Sequence, residues 1–152
     1  MASATASTFV YVTYIRTTPE QLWTALTSPE FTRQYWFGVV QETDWKMGSS
    51  WKMIFADGRI ADTGEIVECD PPKRVVIKWR NEFRPELKEE GYSRCEIDLE
   101  AMDDAVKLTI THSMEKEGTQ FIGAVSGGWP LILSNLKSLL ETGKLVVPVK
   151  KT

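Results

Sequence analysis

The sequence contains little of the chemistry that usually marks a metal centre or a nucleophilic active site. Its 152 residues include only two cysteines, Cys69 and Cys95, and a single histidine, His112. The two cysteines lack the spacing of a metal-binding pair, and in a cytosolic protein we expect free thiols. Phosphate-binding loops, dinucleotide fingerprints, HExxH and nucleophile-elbow motifs are also missing. These absences predict a protein with no bound metal and no cofactor.

The sequence also has no large excess of one charge and no long apolar run. Its 18 basic and 21 acidic residues give a net charge of -3, without the basic patch that attracts nucleic acid or an anionic membrane. No apolar run approaches the roughly 18 residues of a membrane span, and residues 1–8 lack the features of a signal peptide. We therefore expect a cytoplasmic protein with no nucleic-acid partner, as a monomer or weak homodimer.

The unusual feature of the composition is six tryptophans in a chain of single-domain length. We predict one domain over residues 8–148, between a flexible tail at 1–7 and a short tail at 149–152. Residues 8–16 have the β-branched and aromatic character of a first strand. Helix-start patterns at Thr18-Pro19 and at Ser28-Pro29 then predict two short helices.

A hydrophobic period of two predicts a meander of antiparallel strands in the middle of the chain. The candidate strands are residues 51–55, 63–69, 74–81, 92–101 and 106–114. Four of them alternate so that one face is apolar, and the last places His112 on that face. Apolar residues from Phe121 to Leu140 then follow a helical stripe, which predicts a long C-terminal helix with a kink at Pro130. The sheet and the helix can bury their apolar faces only against each other.

This α+β order resembles the helix-grip fold of START-like proteins, the SRPBCC or Bet v 1-like superfamily. More narrowly, it resembles the family named for homology to the activator of Hsp90 ATPase (AHSA1-like). The matching stretches are TPEQLWTALTSPEF, GEIVECDPPKRVVIKW, LTITHSM and SGGWPLILSNLKSLLETG. The resemblance implies a curved antiparallel sheet around the final helix, with a hydrophobic cavity between them.

We therefore predict non-enzymatic binding of a small hydrophobic or amphipathic ligand in this cavity. Aromatic and Met side chains adapt to irregular apolar ligands, and a single polar group such as His112 can orient them. The candidate ligand-binding residues are Trp36, Trp51, Met53, Phe55, Trp79, Cys95, Ile97, His112, Met114, Phe121, Val125 and Trp129. No catalytic residue is assigned.

Three alternatives stay open on the sequence. In the first, the chain is a co-chaperone-like module that binds an Hsp90-type ATPase. In the second, it is a cyclase- or hydrolase-like enzyme that uses His112 in the same cavity. In the third, His112 is a hydrogen-bonded core residue without a function in the cavity. Glu65 and Glu68 lie on opposite faces of a regular strand, so one of them is expected to face the cavity. The charged segment 82–90 is predicted to be a solvated loop, with a lid as the alternative.

Overall fold

The computed structural model describes residues 7–147, which form a seven-stranded antiparallel sheet and four helices. The strands are β1 (Ser7–Ile15), β2 (Val40–Thr43), β3 (Ser50–Ile54), β4 (Ile60–Asp70), β5 (Arg74–Asn81), β6 (Ser93–Ala101) and β7 (Val106–Met114). The helices are α1 (Pro19–Thr27), α2 (Pro29–Tyr35), α3 (Pro85–Lys88) and α4 (Gln120–Thr142). The predicted tails lie outside the described residues, except that Ser7 is the first residue of β1.

The sheet runs in the order β1-β7-β6-β5-β4-β3-β2 and holds α4 against its apolar face. The inward side chains predicted for β5, β6 and β7 are buried, including Ile77, Ile97 and Ile110. α4 contacts β1 and β7 at one edge of the sheet, and it also contacts α2. The predicted helix-grip fold is confirmed.

The local predictions differ from the structure in a few places. β4 begins at Ile60 rather than residue 63, β2 was not predicted, and the predicted loop contains α3. α4 is one helix that continues through Pro130, and the kink there stays a prediction. Thr18 caps α1 by accepting a hydrogen bond from the Gln21 amide at 3.2 Å, as predicted. Among residues 7–147, no helix has both the length and the apolarity needed to cross a membrane.

Candidate functional site

Two tryptophans meet across a glycine in the middle of the sheet. Gly64 on β4 is the cross-strand partner of both Trp51 on β3 and Trp79 on β5. A Cβ atom on Gly64 would lie 1.6 Å from the carbonyl oxygen of Lys78, so no larger residue fits this position. Because Gly64 has no side chain, the rings of Trp51 and Trp79 approach to 4.8 Å between centroids. This pair forms the packed floor beside the cavity described below, which Trp79 lines and Trp51 does not.

His112 lies beside this floor in a closed chain of hydrogen bonds. The indole Nε1–H of Trp129 donates to His112 Nδ1 at 3.1 Å, so the neutral ring carries its proton on Nε2. Nε2 lies 2.8 Å from Ser93 Oγ, and the Ser93 hydroxyl donates to the carbonyl oxygen of Trp79 at 2.9 Å. Both ring nitrogens are therefore occupied by the protein itself.

His112 has no exposed surface, and burial lowers its pKa from 6.5 to about 3. A charged imidazolium would lose its hydration in this position without gaining an anionic partner. The ring is therefore neutral near pH 7, and it joins α4 to the sheet through Trp129. This geometry leaves His112 no free nitrogen for a ligand or for proton transfer.

A cavity of about 230 Å³ lies next to the His112 chain, between the sheet, α4 and the segment after β5. Its walls are mostly aromatic and aliphatic. They are formed by Trp36, Val39, Met53, Phe55, Ala61, Asp62, Trp79, Asn81, Phe83, Arg84, Leu87, Phe121, Ala124, Val125, Gly128, Trp129 and Ile132. Because its volume is below the roughly 300–1,000 Å³ of drug-sized pockets, the cavity suits a small ligand.

Asp62 is the acidic residue in this wall. Its side chain is 5% exposed, and its Oδ2 accepts a hydrogen bond from the Trp79 indole at 2.6 Å. Burial raises the pKa of Asp62 from 3.8 to about 7; the hydrogen bond from Trp79 opposes this rise, and the charge of Glu82 adds to it. No other hydrogen bond to this carboxyl group forms within residues 7–147.

The second oxygen of Asp62, Oδ1, retains some solvent-accessible surface, and Asp62 lines the cavity. Within residues 7–147, only Thr119 Oγ1 is a side-chain oxygen or nitrogen that is sealed from solvent and has no hydrogen-bond partner. Asp62 Oδ1 also has no hydrogen-bond partner there. Because it does not belong to the sealed atoms, it must keep some accessible surface. A carboxylate oxygen that faces an apolar cavity can accept a hydrogen bond from a ligand.

Residues 82–91, which we call the mouth segment, contribute Phe83, Arg84 and Leu87 to the cavity wall. At the start of this segment, Glu82 accepts hydrogen bonds from Thr63 at 2.7 Å and Arg80 at 2.6 Å. At its end, the Glu90 carboxylate accepts from the first two amides of α4, Gln120 and Phe121, both at 2.8 Å. Glu90 therefore satisfies two amides that a helix start leaves without intrahelical partners, and ties the segment to α4.

The structure brings together seven of the predicted ligand-binding residues in the cavity wall. These are Trp36, Met53, Phe55, Trp79, Phe121, Val125 and Trp129. Four others do not line it: Trp51, Cys95, Ile97 and His112 belong to the packed core around it. Met114 lines a separate groove of about 450 Å³ with Lys78 and Glu90.

The carboxylate prediction for β4 was wrong, because Glu65 and Glu68 are both exposed. A β-bulge between Ile66 and Glu68 shifts the register, so Glu68 points outward and pairs with Arg74. Asp62 was missed. Residues four apart in a regular strand lie on the same face, so the apolar Ile66 could have placed Asp62 on the inner face.

The prediction that residues 82–90 form a solvated loop also needs correction. Leu87 in the mouth segment is buried, and Phe83 and Arg84 line the cavity. The segment therefore contributes to the wall rather than only to the solvated surface. Within the described residues, no three His, Cys, Asp or Glu side chains are grouped closely enough to hold a metal ion.

Most of the chain, residues 16–141, matches the protein family described as activator of Hsp90 ATPase homolog 1-like protein. The chain belongs to this family. The resemblance predicted from the four sequence stretches is thereby confirmed. A comparison with curated protein sequences finds no match.

Solved structures similar to this family member share its fold. MLL2253 from Mesorhizobium loti has a TM-score of 0.76 at 21% identity, over 91% of this chain and 100% of the other. The Aha1 dimer from Colwellia psychrerythraea has a TM-score of 0.71 at 21% identity, covering 91% and 98%. PFC0360w, an HSP90 activator from Plasmodium falciparum, has a TM-score of 0.70 at 22% identity, covering 88% and 95%. At these identities the likeness establishes the fold alone.

Proposed function

We propose that this protein binds a small apolar or amphipathic molecule in the cavity between β3, β4, β5 and α4. The observation that carries the proposal is the cavity of about 230 Å³ with aromatic walls and one open carboxylate oxygen. Such a combination of apolar walls and few polar groups is typical of ligand sites. The closed hydrogen-bond chain of His112 favours binding over acid-base catalysis by that residue.

Gly128 offers a direct test, because it lines the cavity from α4 and lacks a side chain. A Cβ added at Gly128, or at the exposed neighbour Gly127, would meet no atom within 4 Å. We expect Gly128→Leu to fill the cavity. Gly127→Leu is the matched control, since it makes the same change in helix propensity but does not line the cavity.

The measurement is thermal unfolding and native mass spectrometry with a panel of small aromatic and alicyclic metabolites, and with fatty acids and sterols as compounds too large for the cavity. A ligand at about 100 times its Kd should stabilise the wild type by about 2.7 kcal/mol. Gly128→Leu should abolish this stabilisation and Gly127→Leu should keep it. Equal stabilisation of both variants would place the ligand elsewhere, and no stabilisation by any compound would overturn the proposal.

A second candidate function is that of a co-chaperone module for an Hsp90-type ATPase. It is favoured by the family match and by the similarity to an HSP90 activator. Stimulation of Hsp90 ATPase activity by the purified protein would support it. Gly128→Leu separates the two candidates, because a surface interaction with a chaperone does not need the cavity.

A further inference from the structure

The charges around the cavity are distributed unevenly. Among the described residues that line it, Asp62 and Arg84 are the charged ones. Arg84 lies at the mouth, where its side chain is 51% exposed and its Nε pairs with Glu86 Oε1 at 3.0 Å. Asp62 is buried and has one oxygen without a partner in residues 7–147. Asp62 is therefore the buried charged group of the cavity wall, whereas Arg84 is half-exposed and already paired with Glu86.

Three indole rings lie together in the wall of the cavity. Within the set Trp36, Trp79 and Trp129, ring centroids are 5.3 to 6.5 Å apart, and all three residues line the cavity. The faces of aromatic rings carry negative electrostatic potential and attract cations, most strongly for Trp. Aromatic walls next to a carboxylate therefore form an environment that is more favourable for a cation than for an anion.

The geometry points to a protonated amine as the polar group of the ligand, with Asp62 Oδ1 accepting its N–H and the three tryptophans surrounding its apolar part. This inference rests on the proposed function and names the class of ligand for the same cavity. An N⁺–H···O⁻ hydrogen bond is stronger than a neutral one and supplies the partner that Asp62 lacks. A carboxylate ligand would instead meet the charge of Asp62 at close range.

The volume limits the size of this amine. A cavity of about 230 Å³ accommodates one aromatic or alicyclic ring with a short side chain, but not a sterol or a long acyl chain. The matched probes are therefore 2-phenylethylamine, 2-phenylethanol and phenylacetate, which have similar shapes but carry a cation, a neutral hydroxyl group and an anion. At about pH 8, Asp62 is mostly ionised and the amine is protonated.

The experiment measures the Kd of each probe by titration calorimetry for the wild type and two variants. Asp62→Asn keeps an oxygen for the Trp79 indole but removes the charge. Glu65→Gln removes one charge from an exposed position on the same strand and serves as the control. For the wild type and Glu65→Gln, we expect the amine to bind at least about tenfold more tightly than the other two probes.

Asp62→Asn should bring the Kd of the amine to within about threefold of that of the alcohol. If the alcohol or phenylacetate binds the wild type as tightly as the amine, the amine inference is overturned while the proposed function stands. An amine preference that survives in Asp62→Asn overturns the role of Asp62. If none of the three probes binds, the amine inference fails, while the ligand-binding proposal is decided by the wider panel tested with Gly128→Leu.

Discussion

Two buried polar groups flank Trp79 and differ in how their hydrogen bonds are used. On one side, the main-chain carbonyl of Trp79 accepts from Ser93 and closes the chain that includes His112. On the other side, the Trp79 indole donates to Asp62, whose second oxygen has no partner within residues 7–147. The His112 chain is complete, whereas the Asp62 end is open to a cavity.

This difference separates a structural polar group from a candidate functional one. A buried group with every hydrogen bond satisfied stabilises and orients the core, but it has nothing left for a ligand. A buried carboxyl group with a free oxygen lowers stability unless something binds it. The only histidine attracts attention in the sequence, but the open Asp62 carboxylate has the geometry of a ligand-binding group.

The largest expected effect is the loss of stability when His112 is replaced. His112→Ala should lower the free energy of unfolding by about 3 kcal/mol, because it leaves a void and removes the acceptor for the Trp129 indole. Chemical denaturation of the wild type and the variant measures this difference. Asp62→Asn, in contrast, should leave stability near pH 7 unchanged or raise it. A cost below about 1 kcal/mol for His112→Ala would contradict the structural role of the chain.

The next effect is in the pH dependence of stability, where the two groups act in opposite directions. Between about pH 4 and 7, folded Asp62 keeps a proton that the unfolded chain has lost, so rising pH lowers stability. Between about pH 3 and 6.5, unfolded His112 holds a proton that the folded ring lacks, so rising pH raises stability. Each slope is at most about 1.4 kcal/mol per pH unit.

From about pH 5 to 6.5 these slopes should nearly cancel in the wild type. Asp62→Asn should then show stability that rises with pH, and His112→Gln stability that falls with pH. The charged groups near Asp62 do not add a pH dependence of their own in this range. Arg84 stays charged throughout it. For Glu82, burial opposes the charge, but hydrogen bonds from Arg80 and Thr63 bring its pKa to about 2. Parallel profiles for the wild type and both variants, from urea titrations at each pH, would show the assignment to be wrong.

The strands that could be predicted best are those with regular alternation. β5 and β7 have the predicted bounds, because apolar residues occupy every second position and short turns limit their length. β2 was missed because it has four residues and its inward side chain is the polar Gln41. Gln41 is tolerated in the core because it accepts from Trp51 at 3.0 Å and donates to Leu26 at 2.8 Å.

The candidate site was only partly predictable, because only its apolar residues follow a regular pattern. The aromatic wall follows from periodicity, since Trp79 and Trp129 belong to well-defined apolar faces. Asp62 precedes the bulge and shares a face with Ile66, but a polar residue at an inward position adds nothing to a hydrophobic pattern. The bulge after Ile66 also leaves no such pattern, although it changes which residues face inward. The space left by Gly128 depends on packing between distant elements, which a single sequence does not reveal.

The smallest expected effect is the loss of stability when the mouth segment is released from α4. Glu90→Ala removes the acceptor for two amides at the start of α4 and should lower stability by about 1 kcal/mol. Glu89→Ala is the matched control, because Glu89 is exposed on the same segment and forms no ion pair within residues 7–147. Hydrogen exchange should show faster exchange in the mouth segment of Glu90→Ala, with the β6 and β7 amides near His112 unchanged. Equal exchange of the mouth segment in both variants would mean that Glu90 does not hold this segment against α4.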